Sequence, residues 1–82
     1  MSKFEKYAET VDKYRLSQNQ VFVLREVKRG RHEFSRRFGR SIEALSRKNL
    51  ISYIFKYGNK AEDDRYVKVK LTKEGKRVVK NL

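Results

Sequence analysis

Residues 31–51 read RHEFSRRFGRSIEALSRKNLI, and the way this stretch divides decides what the chain can be. Phe34 and Phe38 stand four apart, and Ile42 and Leu45 continue their stripe, so one helix or two short ones would bury the same side chains. Gly39 separates the two readings, because glycine costs about 1 kcal/mol in a helix interior and is at home in a turn. The sequence therefore predicts a short helix over 33–38, a turn at Gly39 and a second helix that starts at Arg40 and Ser41. Asn49 suits the left-handed residue past that helix, and Leu50 and Ile51 return the chain to the core.

Upstream, LSQNQVFVLREVKRG (16–30) carries a full set of helix signals. Ser17 can cap the N-terminus, Gln20 stands where a capping box needs Glu or Gln, and Leu16 with Val21 occupies the hydrophobic-staple positions. Val21, Leu24 and Val27, with Phe22 or Val23, supply a buried face, and Gly30 can end the helix in the left-handed conformation. Earlier still, Phe4, Tyr7, Ala8, Val11 and Tyr14 form one stripe of an amphipathic helix. Such a stripe can pack on its own domain or serve as a dimerisation element, and the sequence leaves both open.

Downstream of Asn49 the period changes to two. Ile51, Tyr53, Phe55 and Tyr57 alternate with Ser52, Ile54 and Lys56, and Val67, Val69 and Leu71 alternate with Lys68 and Lys70. Two strands joined by GNKAEDDR (58–65) make a hairpin with a long loop. The aromatics at helical or alternating spacing read mostly as core, with Tyr53, Tyr57 and Tyr66 as candidates for stacking on a base or bonding a phosphate. In LTKEGKRVVKNL (71–82) Thr72 can cap a last helix, Glu74 favours its positive end, and Val78, Val79 and Leu82 can pack.

Composition bounds the function. At 82 residues with 22 Lys and Arg against 10 Asp and Glu, the chain reads as one small, strongly basic domain whose core has modest reach. The charge is concentrated: residues 28–48 and 65–82 carry +6 each, whereas 49–64 carry −1. A field of this strength attracts polyanions, and each cation that reaches a DNA phosphate releases counterions. With no cysteine there is no disulfide framework, thiolate metal site or thiol redox switch. No metal-ligand spacing, nucleophile–base pattern or glycine-rich phosphate cradle is present, so the expectation is a binding module without cofactor or metal, not an enzyme. His32 reads as an exposed loop residue. No signal peptide or long apolar run is visible, which fits a soluble cytoplasmic protein.

Four pieces in order carry a resemblance: LSQNQVFVL (16–24), LSRKNLI (45–51), DDR (63–65) and LTKEG (71–75). Together they resemble the winged helix-turn-helix DNA-binding domains of MarR-like and small phage-type regulators, across most of the chain. Only eleven residues separate Gly30 from Ile42, fewer than those domains ordinarily place there, so the resemblance is to a compact form whose middle helix is either short, within 33–38, or absent. It implies an α+β, mainly α fold, with an N-terminal amphipathic helix (1–15) ahead of a winged-helix domain (16–82). It also implies double-stranded DNA as partner, with helix 41–48 in the major groove and the wing, 57–66, at the minor groove. Arg65 would face that groove, with Asp63 or Asp64 holding its guanidinium.

With Ile42, Leu45 and Leu50 inward, Arg40, Ser41, Glu43, Ala44 and Arg47 form the exposed, base-reading set. Glu43 can instead pair with Arg47 one turn away. Lys28, Arg29, Arg31, Arg36 and Arg37, with Lys60, Lys68 and Lys70, are candidates for gripping phosphates. Phe4, Tyr7, Val11 and Tyr14 are the dimerisation candidates. The function expected is sequence-specific DNA binding by a small homodimeric transcription regulator with no small-molecule ligand. The alternatives are a winged helix that binds nucleic acid without sequence preference and one that serves as a protein adaptor.

Overall fold

The computed structural model describes residues 2–57 and 65–82. Among them the chain forms α1 (Lys3–Tyr14), α2 (Gln18–Lys28), β1 (Glu33–Ser35), a single 3₁₀ turn (Arg36–Phe38) and α3 (Gly39–Arg47). It continues with β2 (Ile51–Lys56), β3 (Arg65–Leu71) and α4 (Lys73–Val79). The architecture is α+β and mainly helical, with an antiparallel sheet in the order β1-β3-β2.

Local chemistry accounts for most helix ends. Ser17 caps α2 in a complete capping box: its Oγ accepts from the Gln20 N–H at 3.2 Å, and Gln20 Oε1 accepts from the Ser17 N–H at 3.4 Å. Leu16 and Val21, on either side of that cap, are both buried in the core. Helices α1, α2 and α3 all end on a left-handed residue, Arg15 (φ 52°), Gly30 (φ 106°) and Asn49 (φ 61°). After α2, for example, the Gly30 N–H reaches the Val27 carbonyl and the Arg31 N–H reaches Glu26, closing the helix in a Schellman motif.

Residues 33–38 depart from the helix expected of them. Glu33, Phe34 and Ser35 are half-buried, buried and half-buried, the period-two pattern of a strand, and they pair with β3 through Glu33↔Lys68, Phe34↔Val67 and Ser35↔Arg65. Phe34 and Phe38 stay in contact, ring centroids 5.8 Å apart, but across a strand-to-turn step and not along a helix. The free edge of β3 won this segment, since a three-stranded sheet satisfies backbone groups that a two-stranded hairpin leaves open. Gly39 is correspondingly not a turn residue. It has ordinary helical dihedrals (φ −55°, ψ −46°) and begins α3.

A second departure lies in β2. Its register against β3 is Ile51↔Leu71, Ser52↔Lys70 and Tyr53↔Val69, then Phe55↔Lys68 and Lys56↔Val67, with Ile54 as the extra residue of a bulge. The bulge reverses the alternation beyond Tyr53. Phe55, expected inward with Ile51 and Tyr53, stands on the outer face beside Lys68 and is 55% exposed, and Ile54 is 49% exposed.

The core gathers Val23, Leu24, Phe34, Ile42, Leu45, Leu50, Val67 and Val69, each almost wholly buried, with Val78 and Val79 of α4. Around Thr72 the chain is locked. Its N–H donates to the Leu50 carbonyl at 3.1 Å, its hydroxyl donates to the Asn49 carbonyl at 2.6 Å, and its Oγ1 accepts from the Gly75 N–H at 2.9 Å. One side chain thus caps α4 and ties it to the exit of α3.

Helix α1 covers α2 and α4 with Tyr7, Thr10, Val11 and Tyr14. Thr10 takes the place in the buried stripe expected for Ala8, which is exposed together with Phe4. The Tyr14 hydroxyl donates to Glu74 Oε1 at 2.5 Å, and this bond, with burial, raises the Tyr14 pKa above its ordinary value. Tyr14→Phe is expected to cost about 1 kcal/mol, read as a lower urea midpoint at unchanged m-value. Because the folded-state pKa is raised, the stabilisation is intact below the ordinary tyrosine pKa and is lost as pH rises toward the folded value. No helix among the described residues is long and apolar enough to cross a membrane.

Candidate nucleic-acid interface

Helix α3 buries Ile42 and Leu45 completely. The 3.6-residue period then turns Arg40, Glu43 and Arg47 outward, all exposed, with Ser41 and Ala44 at half-buried flanks. The five residues singled out on this segment therefore share one helix and one side of it. Glu43 and Arg47 are paired, Arg47 Nη2 to Glu43 Oε1 at 2.9 Å, the i,i+4 bridge that the spacing allowed. Arg40 is exposed and makes no hydrogen bond or ion pair with the described residues.

The sheet frames this helix. Burial, with smaller contributions from Glu43 and Tyr66 that outweigh the opposing Arg47 charge, raises the pKa of Tyr53 on β2. The Lys56 ammonium lies over the Tyr53 ring, 4.5 Å from its centroid. Lys56 was not among the sequence candidates; only the bulge at Ile54 turns it to that side, and no alternation pattern reveals a bulge. Lys48, at the end of α3, donates to the Arg15 carbonyl at 2.9 Å and to Gln20 Oε1 at 2.8 Å, binding α3 to the α1–α2 junction. Burial, with a smaller contribution from the Arg15 charge, lowers its pKa.

Of the remaining basic candidates, Arg31 is engaged within the chain. Its guanidinium lies 4.6 Å from the Phe34 centroid and 5.6 Å from that of Phe38, and it bonds the Glu33 carbonyl and the Glu26 carboxylate. Arg36 and Arg37 are exposed on the 3₁₀ turn just before α3, Arg37 beside the Phe38 ring. Lys28 donates to the Val79 carbonyl at the end of α4 and so holds α2 to α4. Arg29 is exposed and 3.7 Å from Glu26. Lys68 and Lys70 are exposed on β3. His32 is exposed, as read, and its Nδ1 lies 2.9 Å from the Val69 carbonyl. Lys60 and the acidic run Glu62, Asp63 and Asp64 lie outside the described residues, and so does the pairing of Arg65 with Asp63 or Asp64.

Arg65 does have a carboxylate partner that the sequence did not suggest. Its Nη1 is 3.2 Å from Glu33 Oε2, the same oxygen accepts from the Tyr57 hydroxyl at 2.6 Å, and the guanidinium sits 5.0 Å over the Tyr57 ring. The three residues come from β1, the residue just past β2 and the start of β3. Glu33 was invisible in this role because its segment reads as helix in sequence. The Tyr57 hydrogen bond, followed by Arg65 and Lys68, holds the Glu33 pKa below the ordinary 4.5, and the same bond raises that of Tyr57. In carboxyl-detected NMR, Glu33 should titrate below 4.5, and Tyr57→Phe should move its midpoint upward. A depressed carboxylate contributes above its unfolded pKa and is lost as pH falls through the folded value, while the raised Tyr57 hydroxyl contributes below its unfolded pKa and is lost as pH rises through its folded value. The link therefore opens in acid from the Glu33 side and in base from the Tyr57 side.

Of the four dimerisation candidates, Tyr7, Val11 and Tyr14 pack against the chain's own core, while Phe4 is 77% exposed. Among the described residues no three His, Cys, Asp or Glu side chains are grouped as a metal site would need. Comparisons with protein-family models, with curated proteins and with solved structures find no match.

Proposed function

We propose that the chain is a winged-helix protein that binds double-stranded DNA in a sequence-specific manner, as a small homodimeric regulator of transcription. The observation that carries this reading is the outward stripe of α3, where Arg40, Glu43, Ala44 and Arg47 lie along one side of a helix whose opposite side is wholly buried. A helix with its side chains is about 10–12 Å across and enters a major groove about 12 Å wide. There arginine can take guanine edges, and the alanine methyl can meet a thymine methyl. Arg36 and Arg37 precede the helix where backbone phosphates would pass. The β2–β3 hairpin, with Arg65 at the start of its second strand, is the wing and reaches toward the minor groove.

Topology supports the same reading. The order α2, β1, α3, β2, β3 with β3 central is compatible with a winged helix in which the 3₁₀ turn at 36–38 would stand in for the middle helix. Phe4 is the residue of α1 available to a second copy. Two copies would set their α3 helices about 34–36 Å apart on a near-palindromic site.

The test is a fluorescence-anisotropy titration of duplex DNA selected from a random pool, beside a scrambled duplex, at two salt concentrations. A preference of about 10³-fold or more that survives the salt increase is expected. Equal affinities that collapse together with salt would replace base readout by phosphate grip alone. Absence of binding to either duplex at physiological salt would favour a protein partner. Sedimentation of the free and the duplex-bound protein reads the stoichiometry.

A further inference from the structure

The bulge in β2 has built a surface on the side of the sheet away from the helices. Phe55, 55% exposed, stands in register with Lys68, and Lys68 with Glu33, so one row crosses all three strands. The Phe55 and Tyr57 rings meet edge to face at 5.0 Å, and the Arg65 guanidinium covers the far part of this cluster over Tyr57. Ser52 and Lys70 form the next row, and Ile54 projects beside Phe55 at 49% exposed. Arg65, Lys68 and Lys70 thus lie around the exposed Phe55 ring and the half-buried Tyr57 beside it. Among the described residues the one carboxylate on this face is Glu33, already engaged by Tyr57 and Arg65.

We propose that this outer face is a second nucleic-acid surface, which binds an unpaired strand by stacking bases on Phe55 beside Tyr57 while Lys68, Lys70 and Arg65 hold its phosphates. An exposed aromatic ring among cations suits unpaired bases, whose flat faces are free to stack, whereas a duplex keeps its bases covered. Charge decides against a second copy of this chain, since apposing two such faces would bring their arginines and lysines together. The bulge at Ile54 and the exposed Lys56 likewise discourage strand-to-strand addition along the β2 edge. The surface lies apart from the α3 stripe but shares Arg65 and the β2–β3 hairpin with the wing of the duplex reading; Phe55 belongs to it alone, so the test is made at Phe55.

The chain contains no tryptophan, so Phe55→Trp places a single fluorescent reporter on the platform. Oligo-dT and oligo-rU, each about a dozen nucleotides long to match the span of one stacking platform, serve as probes in separate arms, and the tighter arm identifies the sugar the surface prefers. Quenching of the indole emission by either oligonucleotide, with affinity retained, is expected. Phe55→Ala should weaken that binding about 10-fold or more while leaving duplex affinity and the thermal melt within error of wild type. Three outcomes would overturn the proposal: unquenched emission on saturation, equal affinity of wild type and Phe55→Ala, or an equal loss of duplex binding in that variant. A Phe55→Ala protein that sediments as monomer where wild type is dimer would overturn it too, and would assign the face to self-association.

Discussion

Gly75→Ala is expected to destabilise the protein far more than the same change at Gly39, where an added Cβ meets only the Tyr66 ring at 3.4 Å. A Cβ at Gly75 would lie inside the van der Waals envelope of the Leu50 carbonyl, with Leu71 Cδ2 only 3.3 Å away. The obstacle is backbone, and that backbone is held from two sides: the Leu50 carbonyl accepts the Thr72 N–H, and the neighbouring Asn49 carbonyl accepts the Thr72 hydroxyl. Helix α4 can escape only by lifting off, which would break these bonds and uncover Val78 and Val79, both now buried. Overpacking alone costs about 1–3 kcal/mol, and the lost cap and burial add to it, so about 3 kcal/mol or more is expected. Domains of this class have only about 0.05–0.15 kcal/mol of stability per residue, so the loss would consume much of the total. Urea denaturation followed by circular dichroism reads the effect. A shift smaller than that of Thr72→Ala would mean that α4 docks less tightly than the bonds around Thr72 indicate.

The second large effect belongs to α3. Arg40→Ala is expected to reduce affinity for a selected duplex by about 10- to 100-fold while leaving a scrambled duplex little changed, as the loss of one bidentate base contact would. Arg47→Ala should behave differently, because Arg47 carries the Glu43 carboxylate at 2.9 Å. Its removal leaves that carboxylate uncompensated toward DNA and should weaken both duplexes. Adding Glu43→Ala should restore part of the loss. Anisotropy across a salt series separates the cases: a cation that touches only phosphate lowers the salt slope by about one when removed and affects both sequences alike. If Arg40→Ala shows that behaviour, α3 grips the backbone and does not read bases.

The contrast between what could and could not be read in advance follows from the range of the interactions. Ser17, Gln20, Gly30, Asn49 and Thr72 announced themselves because caps and left-handed stops are set within a few residues of chain. Ile42 and Leu45 were readable as the inward side of a helix, and the outward residues of α3 followed by subtraction. The strand at 33–35 was not readable, because two phenylalanines four apart satisfy a helix equally well and only the distant edge of β3 favours the strand. Nor was the bulge at Ile54. Its existence is a property of the pair β2–β3, and without it Phe55 reads as core and Lys56 as outward. Both unread features concern the sheet, and with them went the Glu33–Tyr57–Arg65 link and the exposed Phe55.

The left-handed stop at Arg15 has a use of its own. Gly30 takes that conformation freely and Asn49 with little strain, but an arginine there carries a steric penalty that a glycine would not. The bond that Lys48 makes at this point goes to the Arg15 carbonyl, which any residue supplies, while the Arg15 charge works against the Lys48 ammonium. The junction of α1 and α2 is therefore where thermostability can be engineered upward, by a change that touches neither the α3 stripe nor the outer face of the sheet.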